Sequence, residues 1–281
     1  MVDRLKSEVF AEGPFKFLEG PRWHKDHLWF SDMMGHRVYR ATASGEIEPV
    51  VEVPQRPSGL GFLPDGQLLI ASMGDRALYR LEAGALAFHA DVSGVAKGDI
   101  NDMLVDRDGY AYVGNFGFDF WTTSERTAHA DLALVSPDGH DVSAVAQDLH
   151  FPNGMVETND RRLVVAETHG HRLSIFTINE DKSLSDRRIF ASLPGVAPDG
   201  LAIDGDNGVW VSAADQSRFI RVIDGGDITH EVDVAPHLAV ACTIGGPNGD
   251  LLYCLTAHPT WAAVGKGTST ARIDVVTLGT A

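Results

Sequence analysis

The 281-residue chain is 44% hydrophobic and carries a formal net charge of −16, a globular composition whose acidity excludes nucleic acid and anionic membrane surfaces as partners. Its two cysteines, Cys242 and Cys254, are too few for a secreted disulfide scaffold and read as small core residues. The opening MVDRLKSEVFAEGP has no apolar leader, and no run approaches the ~18 apolar residues of a membrane span, so a cytoplasmic protein is expected.

In chain order, SEVFAEG (7–13) reads as a first strand, and EGPRWHKDHLWFSD follows from Glu19. This second stretch has a polar starter, a short segment, a turn and an apolar run. That is a hairpin. A second strand pair comes next, HRVYRAT and EIEPVVEV. The pattern then recurs. SGLGFLPDGQLLIAS begins at Ser58 and is followed by RALYRLE and LAFHADV; NDMLVDRDGYAYVGN begins at Asn101 and is followed by ADLALVS and DVSAVAQDL. NGMVETNDRRLVVAE begins at Asn153, with HRLSIFTI and RRIFASL; DGLAIDGDNGVWVSA begins at Asp199, with RFIRVID and ITHEVDV. TIGGPNGDLLYCLTA begins at Thr243, with ARIDVVTLG as its only following strand. A repeat of roughly 40–50 residues with four strands is the signature of a propeller. The expected fold is therefore all-β: one domain over residues 1–281, a six-bladed β-propeller with four-stranded blades. The N-terminal strand supplies the missing outer strand of the last blade, which closes the ring and removes a sheet edge.

In a propeller the first strand of each blade lines the central channel, so the starters Glu19, Ser58, Asn101, Asn153, Asp199 and Thr243 should converge near its axis. All six are polar and carry an acceptor oxygen. A channel mouth is wet, which accounts for Ser58 and Thr243 without any function. It does not account for two acids and two amides with no Lys, Arg or His among them. Carboxylates packed together repel, and one must be protonated or matched by a cation. An oxygen-only set of Glu19, Asn101, Asn153 and Asp199 has the ligand chemistry of Ca²⁺, and suits Mg²⁺ or Mn²⁺ less well.

With LEGPRW (18–23), INDMLVDRDG (100–109), FPNGM (151–155), PDGLAID (198–204) and the closing TIGG and LLYCLTA, the chain resembles the regucalcin/gluconolactonase (senescence-marker-protein-like) family of six-bladed propellers. The resemblance implies metal-dependent hydrolysis of a lactone, with Glu19, Asn153 and Asp199 as metal ligands. It implies one divalent ion in the channel: Ca²⁺ by the donor set, with Zn²⁺, Mn²⁺ or Fe²⁺ in different members. Asn101 corresponds to a residue that contacts substrate or, in the related diisopropyl fluorophosphatase, the metal. Sugar-lactone members often carry an Arg two residues before the position of Asn101, and here that position is Asp99.

The residues after each hairpin's second strand should rim the same mouth: Asp32, Met33, Met34, Met73, Asn115, Phe116, Phe118, Glu167, His169 and His258, with Trp121 and Trp261 nearby. An apolar rim over a polar floor suits a small organic substrate. In this reading the metal polarises the lactone carbonyl and water attacks. Asp199 binds the metal and accepts the water's proton, while Asn101 orients substrate. Asp99, Asn115, Phe116, Phe118, Trp121 and His258 line the substrate side, with His258 and His169 as reserve acid/base groups. An acid at position 99 among aromatics predicts a preference for neutral, apolar or aryl lactones. Two rivals keep the metal: a phosphotriesterase or fluorophosphatase, and a calcium-binding propeller without catalysis. No GxSxG elbow occurs, so serine chemistry has no support.

Overall fold

The computed structural model describes residues 2–121 and 129–279. Six sheets stand in a ring, four of them built wholly from consecutive antiparallel strands and two completed by the N-terminal segment. Blade 1 runs Leu18–His24, His27–Asp32, Arg37–Thr42 and Ile47–Glu52, and blade 2 runs Pro57–Phe62, Leu68–Ser72, Ala77–Glu82 and Ala85–Asp91. Blade 3 comprises Ile100–Val105, Ala111–Asn115, Ala130–Val135 and Val142–Leu149; blade 4 comprises Pro152–Glu157, Arg162–Glu167, Arg172–Ile178 and Leu184–Ser192. Blade 5 is Pro198–Ile203, Val209–Ala213, Arg218–Val222 and Ile228–Asp233. Blade 6 has Leu238–Gly245, Leu251–His258 and Thr270–Thr277 from the C-terminal part of the chain.

Ring closure follows the expectation. Glu8–Glu12 pairs antiparallel with Thr270–Thr277, Glu8 opposite Val275 and Glu12 opposite Arg272, and so becomes the outer strand of blade 6. One feature departs from it. Asp3–Leu5 adds a fifth strand to blade 5, parallel to Ile228–Asp233 with Asp3 opposite His230. The N-terminus thus covers two edges. Among the described residues no helix is long and apolar enough to cross a membrane.

Apolar side chains fill the space between successive sheets. Between blades 3 and 4, Tyr112, Leu132, Leu134, Met155, Leu163, Val165 and Phe176 form one cluster. Each aliphatic side chain buried this way contributes about 1.5–3 kcal/mol.

Every inner strand breaks register near its start. The shifts fall between Glu19 and Arg22, Pro57 and Leu60, Ile100 and Met103, Pro152 and Met155, and Pro198 and Leu201. A bulge re-aims side chains, and here it sits at the starter. It also explains why Gly follows most starters. A Cβ on Gly154 would stand 2.5 Å from the Leu201 nitrogen, and one on Gly200 would stand 2.6 Å from the Ala241 Cα. The inner strands converge so closely at these two positions that a side chain has no room.

Blade 6 corrects the repeat alignment. Its register shift lies between Ala239 and Ala241, so Val240 occupies the starter place. Thr243 pairs with Tyr253 farther along the strand. The hairpin of this blade, Leu238–His258, is longer than Pro198–Ala213 in blade 5, and a repeat of fixed length therefore selected the wrong residue. The ring is five polar starters and one valine.

Candidate functional site

The bulges turn five polar side chains into the channel mouth. Glu19 is 6% exposed, Asn101 4%, Asn153 5% and Asp199 5%, while Ser58 is fully buried. The Ser58 hydroxyl donates to Asn101 Oδ1 at 3.1 Å. Asn153 Nδ2 donates to Thr168 Oγ1 at 3.2 Å, and that hydroxyl donates to the Pro198 carbonyl at 2.7 Å. Of the sequence-derived set, Glu19, Asn153 and Asp199 lie close enough to act on one another, while Asn101 is joined to Ser58 on the neighbouring blade.

Two oxygens in this set have no hydrogen-bond partner although they are buried: Asn153 Oδ1 and Asp199 Oδ1. Burial above all pushes the Asp199 carboxyl up to about 8; a hydrogen bond with Asn153 opposes this, and the charges of Asp102 and Asp215 add to it. Glu19 moves well above the usual range for the same first reason, with Asp199 and Asp102 adding repulsion against the Gly20 N–H and Arg22. Two buried acids that repel, beside two unpaired oxygens, form a place for a proton or a cation. Among the described residues no three His, Cys, Asp or Glu side chains group to hold a metal. The third donor at this mouth is an amide. Two carboxylates and an amide oxygen, with no sulfur or imidazole, match a hard divalent cation.

Beneath the ring lies an ion pair that the sequence reading missed. Arg22 Nη2 donates to Asp102 Oδ1 at 2.8 Å and to the Met103 carbonyl at 2.5 Å, and Nη1 donates to the Pro21 carbonyl at 2.7 Å. Burial raises the Asp102 carboxyl, and Arg22 draws it back. The signal was present in the sequence: Asp102 follows its starter where Glu19, Ser58, Asn153 and Asp199 are followed by Gly.

The rim residues divide by what they bond. Asp32 accepts from the backbone N–H of Lys16, Phe17 and Gly35 at 3.1, 3.0 and 2.9 Å, so it staples a loop. Asn115 donates to the Asp131 carbonyl at 2.8 Å and accepts from the Gly117 N–H at 3.0 Å, which engages both ends of its amide with backbone. Glu167 is fully buried and accepts from the His150 N–H, Ser174, Arg172 and Arg187. Burial works to raise its carboxyl, but Arg172, Ser174, the His150 N–H and Arg187 prevail and hold it down at about 2. It is a structural anchor.

Phe116 and Phe151 stack at 4.5 Å, Phe118 lies 6.1 Å from Phe151, and His169 lies 4.6 Å from Phe151. Phe116, Phe118 and Phe151 are buried among Phe17, Met33 and Met73 and form a packed wall beside the mouth, with the half-buried His169 against it. His258 stands apart from them, its ring 5.2 Å from His237. Trp261 is 40% exposed, donates to Asp215 Oδ1 at 3.1 Å and packs 5.6 Å from Phe17.

Asp99 does not stand alone. Arg56 Nη2 reaches its Oδ2 at 2.5 Å, and Trp121 Nε1 donates to the same oxygen at 2.8 Å. A rim acid already paired with a guanidinium gives no electrostatic reason to reject anions, which removes the premise of the aryl-lactone preference. Grooves of ≈ 710 and ≈ 420 Å³ open on the outside, one at Arg80, His89 and Asp138 and the other at His24, Arg40 and Phe62; neither includes a starter.

Residues 17–258 match the family model described as SMP-30/Gluconolactonase/LRE-like region. The pentonolactonase XacC of Haloferax volcanii is 26% identical over 245 residues, 85% of this chain and 81% of that protein. The 6-deoxy-6-sulfogluconolactonase of Pseudomonas putida is 23% identical over 249 residues, 85% of this chain and 83% of that protein. Among solved structures, a calcium-binding protein, regucalcin, from Agrobacterium tumefaciens superposes with a TM-score of 0.81 at 19% identity, over 99% of this chain and 98% of that one. A gluconolactonase from Xanthomonas campestris gives 0.77 at 23% identity, over 95% and 88%. With the propeller, the converging starters and a family match over most of its length, the chain belongs to the SMP-30/gluconolactonase/LRE-like family.

Proposed function

We propose that this protein is a metal-dependent lactonase whose cation is held by Glu19, Asn153 and Asp199. The observation that carries the reading is the pair of buried, unpartnered oxygens, Asn153 Oδ1 and Asp199 Oδ1, beside a second acid, Glu19, that repels Asp199. The lactonase relatives support the substrate class. A divalent cation bound there supplies Lewis acidity to the lactone carbonyl and the attacking water. Ca²⁺ is the first candidate, because all donors are oxygens.

The chain's own residues do the rest. Ser58 occupies the oxygen end of the Asn101 amide, which leaves the Nδ2 donor for a substrate oxygen. The Asp199 carboxyl, raised by burial, holds a proton near neutral pH when no cation is present. As the carboxylate it is placed to accept the proton of the attacking water and return it to the ring oxygen released as the lactone opens, at the lower basicity that a neighbouring cation would impose. Phe116, Phe118 and Phe151 exclude water from one side.

A panel of gluconolactone, a pentonolactone and dihydrocoumarin, assayed with and without chelator, tests this. The reading expects turnover of at least one lactone that chelation abolishes and Ca²⁺ restores. Turnover that survives complete removal of divalent ions contradicts the metal role. Hydrolysis confined to a phosphotriester or fluorophosphate contradicts the lactone assignment.

A further inference from the structure

We propose that Arg56 is the specificity-determining residue of this mouth, meeting the oxygen-rich end of the lactone, and that Asp99 and Trp121 are its positioning residues. The proposal deepens the lactonase reading and rests on it for the identity of the substrate.

Arg56 lies two residues before Ser58, and Asp99 lies two residues before Asn101. The two are on neighbouring blades. The Arg56–Asp99 pair therefore stands one step outward of the Ser58–Asn101 hydrogen bond, in the loops that lead into the inner strands Pro57–Phe62 and Ile100–Val105. The backbone ties it to the rim: Met73 N–H donates to the Arg56 carbonyl at 2.9 Å, and Phe116 N–H donates to the Asp99 carbonyl at 3.0 Å. An arginine in this place is within reach of a substrate whose carbonyl sits at the ring below.

Three features hold the guanidinium in one plane. Its Nη2 meets Asp99 Oδ2 at 2.5 Å, its Cζ lies 4.7 Å from the Trp121 ring centre, and Trp121 Nε1 closes the triangle on the same Asp99 oxygen at 2.8 Å. Stacking and a charged hydrogen bond pre-organise an arginine for directional recognition. A guanidinium carries five N–H donors, and among the described residues Asp99 is its one hydrogen-bond partner; the buried Nε has none. The spare donors call for oxygen acceptors.

Charge sets the selectivity. Paired with Asp99 the rim is neutral, and it offers both a donor and an acceptor, which suits hydroxyl groups. Remove the Asp99 charge and an uncompensated cation remains, which favours a carboxylate. Remove Arg56 and an uncompensated acid remains, which rejects one. The two substitutions should shift preference in opposite directions.

The test is kcat/KM of metal-loaded wild type, Arg56→Gln, Arg56→Lys and Asp99→Asn on gluconolactone, the carboxylate-bearing glucarolactone and dihydrocoumarin, with Tm measured for each. In Arg56→Gln the loss on gluconolactone should exceed that on dihydrocoumarin by about tenfold, chiefly through KM, with a larger loss on glucarolactone. Arg56→Lys should recover part of it. Asp99→Asn should raise the glucarolactone-to-gluconolactone ratio by about tenfold. Equal losses on all three lactones in Arg56→Gln, or an unchanged ratio in Asp99→Asn, overturn the proposal. If wild type opens none of the three, the lactonase reading fails separately. Calorimetric binding of gluconate and glucarate then decides the role of Arg56: weaker binding in Arg56→Gln upholds it, and equal or absent binding overturns it.

Discussion

Stripped of divalent ions, the protein is expected to lose stability as the pH rises from about 5 to about 8. In the folded chain burial first, and then the charges of Asp102 and Asp215, push the Asp199 carboxyl up to about 8 against its bond with Asn153. Glu19 is raised with it. In the unfolded chain such groups titrate at about 4. Between those limits the folded state keeps a proton that the unfolded state has released. The stability linked to that proton is complete below about 4 and is lost as the pH rises towards about 8. One proton corresponds to a slope of ~1.4 kcal/mol per pH unit. In a domain of this size that lowers Tm by about 3 °C per unit. The assay is calorimetric melting in chelator across the range at constant ionic strength, repeated with excess Ca²⁺. A bound cation replaces the proton and binds more tightly as the acids ionise, so it should flatten the profile. Asp199→Asn, which keeps the shape and removes the charge, should flatten the chelated profile as well. A chelated wild-type Tm that stays level or rises over this range would mean that the folded chain holds no extra proton at this pair. An Asp199→Asn profile as steep as that of wild type would mean that the proton is not held at Asp199.

Other outcomes follow from named contacts. Glu167→Ala leaves Arg172 and Arg187 without their buried partner and should cost about 3–5 kcal/mol in denaturant melts. In acid titrations of wild type, the contribution of Glu167 is present above its unfolded value and is lost as the pH falls through about 2. Thr243→Val should leave bound metal and activity unchanged, because Val240 occupies the starter place of blade 6; lost metal would restore Thr243 to the ring. Gly200→Ala forces a Cβ to within 2.6 Å of the Ala241 Cα and should cost about 1–3 kcal/mol by equilibrium unfolding. A neutral result there would mean that the inner strands separate freely.

The blades were legible because each repeat states its strands locally, as alternating or wholly apolar runs between turn residues. Closure was legible because blade 6 lacked a strand and SEVFAEG stood unassigned. What escaped depends on separation in the chain. Arg22 and Asp102 meet across blades at 2.8 Å, and nothing local to either residue announces the other. Asp99 read as a free rim acid because its partner, Arg56, lies on the preceding blade. Asp32 and Asn115 have site-like side chains, but nearby N–H and carbonyl groups take them up. Thr243 was selected by an alignment of fixed length in the one blade whose hairpin is longer. The extra parallel strand Asp3–Leu5 left no pattern that could be read from three residues.

Lactone opening should require the cation proposed to be held by Glu19, Asn153 and Asp199. The most direct measurement titrates Ca²⁺ into chelator-stripped protein while bound Ca²⁺ and the initial rate of lactone opening are followed in the same sample. One high-affinity cation per chain is expected, with a rate that rises in proportion to it and an Asn153→Ala variant in which both curves move together to higher Ca²⁺. A rate that ignores bound cation, or an Asp199→Ala protein that binds Ca²⁺ as wild type does, would contradict this role.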